Sequence, residues 1–492
     1  MTQAKTLGEL RATGYTSRSV KQELRENLIK KLKAKEEVFP GIIGFDDTVL
    51  PDIQRAVLSR HSILLLGLRG QAKTRIARLL VNLLDDYMPV VAGSELNDDP
   101  LAPISRYAVD LIAEKGEDTP VEWVHRDDRY VEKLATPDVS VADLIGDVDP
   151  IKAATLKLTY ADERVIHFGL VPRAHRGLFV INELPDLQAR IQVSLFNILQ
   201  EGDIQIRGFK LRLPLDVQFL FTANPEDYTN RGSIITPLKD RIQSQILTHY
   251  PKTIETARAI TKQEADLVKS QSDMVEVDEL LNTMLEQLAF AARESEYIDE
   301  KSGVSARLSI TALENLISTA ERRSLINGDK KTAARITDFW GVVPAITGKV
   351  ELVYEGEQEG AYGVAMKLLS QSIKTSFLEF FPDPNEAEAS GRADSDPYGI
   401  IRAYFSGGNV VELLNDASNK DYHDTLDGVA GLRQMVTSTF HDRKLGKEET
   451  YLYMELVLQG LAEMEVLNKE TMQNSLSFRD ILADMFGADD LY

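Results

Sequence analysis

The stretch Ser62-Ile-Leu-Leu-Leu66-Gly67-Leu-Arg-Gly70-Gln71-Ala72-Lys73-Thr74 decides the fold. Its aliphatic run has the pattern of a parallel strand buried on both faces. A glycine-containing loop follows. Ile76, Leu79, Leu80, Leu83 and Leu84 then recur at helical spacing. Strand, loop, Lys-Thr and helix in this order form the context in which a phosphate-binding loop is credible. The loop N–H groups and the helix start converge on the phosphates. Lys73 would neutralise the β and γ phosphates, and the Thr74 hydroxyl would ligate Mg²⁺. One position departs from G-x-x-x-x-G-K-[ST], because Ala72 stands where the second glycine belongs. A methyl group there costs about 1 kcal/mol if φ is positive and nothing if it is not.

Two more strands end in polar residues. Gly177-Leu-Phe-Val-Ile181 delivers Asn182 and Glu183, where an Asp-Glu pair is usual. Glu183 keeps the general-base position. Asn182 can accept from a metal-bound water but adds no negative charge, so Mg²⁺ is expected to bind weakly and basal hydrolysis to be slow. Val217-Gln-Phe-Leu-Phe-Thr222 leads to Asn224, an amide placed to orient an attacking water. Leu187, Ile191, Leu195 and Ile198 form a helical stripe that stops at Glu201-Gly-Asp203. Ile204 to Arg207 and Lys210 to Leu213 then alternate about a Gly208-Phe209 turn, which predicts a hairpin made basic by Arg207, Lys210 and Arg212.

From these segments the chain divides into an N-terminal helical arm over 1–39, an α/β core over 40–250, a helical region over 251–353 and a helical extension over 354–492. Leu24, Leu28 and Leu32 mark the arm helix, and the proline-rich, acidic stretch 382–397 reads as a linker. The 492 residues carry 56 Lys plus Arg against 77 Asp plus Glu, a net charge of −21, which disfavours nucleic acid as a general partner. The absence of cysteine excludes disulfides, thiolate zinc sites and cysteine nucleophiles. With no signal-peptide core and no membrane-length apolar run, a cytoplasmic location is expected.

The three motifs, in this order, resemble the AAA+ family, in the branch of MoxR-type ATPases and the magnesium-chelatase I subunit. Gly41-Ile42-Ile43-Gly44 is similar to that family's segment against the adenine, and Phe168-Gly-Leu-Val and Ala174-His-Arg-Gly-Leu to its approach to the second motif. Pro237-Leu-Lys-Asp-Arg241 resembles its L-x-D-R segment, and Val304-Ser-Ala-Arg307 its second sensor. The hairpin resembles the insert in helix 2 that defines the branch. The resemblance implies a five-stranded parallel sheet between helices, then a helical lid. It implies ATP and Mg²⁺ as cofactors, and a homo-oligomeric ring, usually a hexamer. Arg241 would act as an arginine finger in the neighbouring site, and Arg307 would contact the γ-phosphate. A protein client is implied, with a von Willebrand factor A-domain protein among the partners. The leading reading is an ATP-driven motor that remodels or activates a protein partner. A slow or inactive nucleotide switch, a metal-chelatase motor subunit and a DNA-acting regulator stand as alternatives.

Overall fold

The computed structural model describes residues 3–158, 162–205, 212–225, 233–385, 396–472 and 474–481. It comprises two compact units, Met1–Tyr250 and Pro251–Tyr492.

The first unit is built on five parallel strands, β1 (Ile63–Leu66), β2 (Tyr130–Leu134), β3 (Gly177–Asn182), β4 (Val217–Ala223) and β5 (Ser244–Leu247). Their order across the sheet is β5-β1-β4-β3-β2. Every residue of β1, β3 and β4 is buried, as their continuous apolar runs require. The period-2 alternation of strand side chains divides them between two apolar layers. Ile63, Leu65, Leu178, Val180 and Leu220 face helices Val20–Ala34, Val49–Leu58 and Lys73–Leu79. Leu64, Leu66, Phe179, Ile181, Phe219 and Phe221 face the opposite layer, which includes Leu187, Ile191, Leu195 and Ile198. This is a five-stranded parallel sheet between helices, the α/β core expected from the sequence, followed by a helical region.

The arm helix Val20–Ala34 belongs to this unit. Val20, Leu24 and Leu28 are buried in its core, while Leu32 stays exposed. Its Glu23 accepts a bidentate pair of bonds from Arg129, at 2.8 and 2.6 Å, with both side chains buried. The expected hairpin is present as antiparallel strands Asp203–Gln205 and Arg212–Pro214. Its turn, with Arg207 and Lys210, lies outside the described residues.

The second unit packs helices Glu279–Glu294, Arg307–Asn327, Ala361–Phe380 and Lys447–Glu463 around one apolar core. Leu316 and Phe339 share that core with Leu368, Tyr453 and Phe478, so packing is continuous across position 353. Three short antiparallel strands, Val411–Leu414, Ser475–Asp480 and Leu467–Thr471, complete it. Most of the stretch 382–397 lies outside the described residues. No helix among the described residues is long and apolar enough to cross a membrane.

Candidate nucleotide site

The sheet register brings the sequence motifs to one edge. Leu66 at the end of β1 pairs with Ala223 of β4, and Phe221 of β4 pairs with Ile181 of β3. Gly67, Asn224 and Asn182-Glu183 therefore leave three adjacent strands at their carboxyl ends, where ligands of open α/β sheets bind. The Gly67 N–H donates to the Ala223 carbonyl at 3.1 Å.

The loop geometry is fixed by its residue types. A Cβ at Gly67 would run into the Thr248 hydroxyl and the Gln71 side chain, so only glycine fits. Gly70 has φ +76°. Ala72 has φ 54° and caps the helix Lys73–Leu79, so its methyl group carries the positive-φ cost of about 1 kcal/mol. The Lys73 ammonium is buried and donates to the Gly67 carbonyl, and to that of Leu68 at 2.8 Å. Thr74 follows in the first turn, half-buried.

A short segment after β5, unmarked in the sequence, pins this loop. The Thr248 hydroxyl donates to Gln71 Oε1 at 2.6 Å, and the Tyr250 hydroxyl to the Arg69 carbonyl at 2.9 Å. His249 between them meets the Phe45 ring edge-on at 5.0 Å and lies 2.8 Å from the Thr48 hydroxyl. Ile42 is buried in the same layer as Phe45, and Ile43 is half-buried beside it. The Phe45–Thr48 segment, which directly follows Gly41–Gly44, and the phosphate loop are thus both held to one strand end.

Asn182 is buried and held at both ends of its amide. Its Nδ2 donates to Glu132 Oε1 at 2.5 Å, and its Oδ1 accepts from the Thr222 hydroxyl at 3.1 Å. Glu132, on β2, also accepts from Arg78 Nε and from the Tyr130 hydroxyl, each at 3.0 Å. Burial pushes the Glu132 carboxyl up, but the hydrogen bonds from Arg78, Tyr130 and Asn182 outweigh it and hold it below the usual carboxylate range. Glu183 sits at φ 53°, left-handed backbone that a non-glycine residue adopts only at a cost, and its N–H donates to the Thr222 hydroxyl at 3.2 Å. Asn224 is half-buried one residue beyond β4.

The two arginines lie in different units. Arg241 closes helix Thr236–Arg241, donates to Gln200 Oε1 at 3.0 Å and the Pro237 carbonyl at 2.7 Å, and covers the Phe196 ring. Arg307 is exposed and opens helix Arg307–Asn327 in the second unit.

Comparison with known proteins agrees with this geometry. Residues 157–246 match the sigma-54 interaction domain. The chain is 26% identical over 212 residues to the magnesium-chelatase 38 kDa subunit of Cereibacter sphaeroides, covering 41% of this chain and 56% of that protein. It is 25% identical over 222 residues to the same subunit of Rhodobacter capsulatus, covering 44% and 57%. It thus spans little more than half the length of these curated relatives. Among solved structures it is similar to the complex of magnesium-chelatase subunits BchI and BchD (20% identity, TM-score 0.34, 65% of this chain and 98% of that one). A second is ATP-bound NtrX from Brucella abortus (13% identity, TM-score 0.39, 74% and 69%). The sequence matches, taken with the sheet and loop, support an AAA+ protein of the branch that includes the magnesium-chelatase subunit and the sigma-54 activators.

Proposed function

We propose that the chain binds ATP with Mg²⁺ at this strand edge and hydrolyses it, as a ring-forming AAA+ motor of MoxR type that acts on a protein partner. The observation that carries the reading is the buried Lys73 within a loop that only glycine at position 67 permits, one strand away from Asn224 and two from Glu183. Such a cradle fits the phosphates, and Thr74 and Asn182, the latter through water, fit a metal. Mg²⁺, when bound, offsets phosphate charge. Lys73 binds the β and γ phosphates, and Ile42 and Ile43 lie against the adenine. Glu183 takes the proton of the attacking water, which Asn224 orients. The strained backbone at Glu183 supports a functional role, since such strain costs about 1–3 kcal/mol and collects at active sites.

Arg241 completes the neighbouring subunit's site, and Arg307 contacts the γ-phosphate. A cation in the first turn of a helix opposes the helix dipole by about 0.3–1 kcal/mol. Arg307 bears that cost while exposed, which supports a role beyond packing. The basic hairpin faces the partner, for which a von Willebrand factor A-domain protein is the leading candidate. A slow nucleotide switch is the second reading, favoured by the strained Ala72 and by the amide at position 182.

Two variants test the site. Lys73→Ala is expected to weaken ATP binding by about 100-fold, near 3 kcal/mol, with unchanged thermal unfolding. Glu183→Gln is expected to stop hydrolysis while ATP still binds and still promotes oligomers in light scattering. Equal calorimetric affinity in Lys73→Ala and parent would discard the nucleotide site. An unchanged rate in Glu183→Gln would leave the switch as the better reading.

A further inference from the structure

Position 182 carries an amide where an acid is usual, and the structure gives this exchange a partner. Glu132 is 50 residues away in sequence and reaches Asn182 only through the pairing of β2 with β3. An ionised carboxylate only accepts hydrogen bonds. The Asn182 amide must therefore present its NH₂ to Glu132, at 2.5 Å, and turn its carbonyl oxygen the other way, where the Thr222 hydroxyl meets it at 3.1 Å. Glu132 is itself braced by Tyr130 and by Arg78. Arg78 stands four residues after Thr74 in the helix that leaves the phosphate loop, so the two share a helix face one turn apart. An aspartate at 182 would set one carboxylate against another in this part-buried place.

We propose that Glu132 is the positioning residue that makes an amide, not an acid, the fitting side chain at position 182. It holds the Asn182 carbonyl oxygen toward the metal side of the site and forbids an unprotected carboxylate there. This inference rests on the nucleotide and metal reading above. The chain achieves an oriented acceptor with a side chain that has no charge of its own, and the charge that orients it stands on the adjacent strand.

The test is a set of variants on the full chain with three readouts: ADP affinity in EDTA by calorimetry, Mn²⁺ binding to the ADP complex by electron paramagnetic resonance, and the unfolding midpoint in EDTA. Glu132→Ala is expected to weaken Mn²⁺ binding about fivefold, the net worth of one ordinary hydrogen bond, while ADP affinity in EDTA holds. Glu132→Gln keeps an acceptor for the Asn182 NH₂ and is expected to restore Mn²⁺ binding to the parent value. Asn182→Asp is expected to lower the midpoint by about 4 °C. Adding Glu132→Gln to it is expected to recover the midpoint, since the glutamine amide then donates to the new carboxylate. The proposal is overturned by unchanged Mn²⁺ binding in Glu132→Ala, by equal losses in Glu132→Ala and Glu132→Gln, or by an Asn182→Asp variant as stable as the parent. If the parent itself fails to bind ADP in EDTA, the reading of the site falls, and this inference with it. Intact ADP binding with an unmoved metal affinity removes the inference alone.

Discussion

Lys73 in the first unit and Glu455 in the second are both buried ionisable side chains, and they are held in opposite ways. Lys73 donates to carbonyls five and six residues behind it, within the loop it belongs to. Glu455 accepts from the Ile336 N–H at 3.1 Å, the Thr337 N–H at 2.7 Å, the Tyr422 hydroxyl at 2.8 Å and Gln459 Nε2 at 3.0 Å. Three of these partners lie 33 to 119 residues away in sequence. These two lysine bonds are local and exchangeable for ligand oxygens. The glutamate's bonds tie distant segments into one core. A buried ionisable group bonded to its own loop is suited to a site, and one bonded to remote segments to a staple.

The largest expected effect tests the staple. Glu455→Ala leaves the buried Ile336 and Thr337 N–H groups without their side-chain acceptor and the Tyr422 hydroxyl with only the Tyr451 carbonyl, at 3.3 Å. The second unit is expected to lose about 3–5 kcal/mol, since each buried donor left unsatisfied costs about 1–3 kcal/mol. Its calorimetric unfolding transition would fall by about 10 °C. A shift below a third of that would mean Glu455 is not a staple and would erase the contrast with Lys73.

A smaller effect, specific to the first unit, depends on pH. His175 Nδ1 accepts from the Asp216 N–H at 3.0 Å, which only the ring with a bare Nδ1 can do. Burial, with the Arg176 guanidinium adding to it, pushes its pKa down to about 4. The folded value lies below the unfolded one of about 6.5, so the ring's contribution is complete above that pH and is lost as pH falls toward the folded value. Between pH 7 and 4.5 the first unit should lose about 2 kcal/mol from this group, and His175→Gln should lack that part of the loss. Parallel pH profiles for parent and variant would contradict it.

The smallest effect lies in the phosphate loop. Ala72→Gly removes a strained methyl group at φ 54° but adds freedom to the unfolded chain. The net gain is expected to be about 0.5 kcal/mol, a rise of one or two degrees in the first transition. A fall in that midpoint would show that the alanine is not strained.

What the sequence discloses follows burial. β1, β3 and β4 are interior strands, and their unbroken apolar runs announce them along with the residues at their ends. β2 and β5 lie at the sheet edges, where one flank is partly exposed. Tyr130-Val-Glu-Lys-Leu134 and Ser244-Gln-Ile-Leu247 accordingly mix charge and polarity, and neither reads as a strand. Glu132 is hidden for the same reason, since its meeting with Asn182 exists only once the sheet is in register. Read from the sequence alone, Asn182 is a missing charge beside Mg²⁺; with the sheet in register it is the amide that donates to Glu132. The three-stranded sheet of the second unit also escapes, because strands of four to six residues leave too short a pattern to separate from helix.

Thr248, His249 and Tyr250 grip the phosphate loop and the Phe45–Thr48 segment, and Pro251 begins the second unit. The tether between the units is thus rooted in the floor of the site rather than in an idle surface loop. Tyr250, whose hydroxyl donates to the Arg69 carbonyl, is the last residue of the first unit, so the chain leaves that unit from a residue bonded to the phosphate loop.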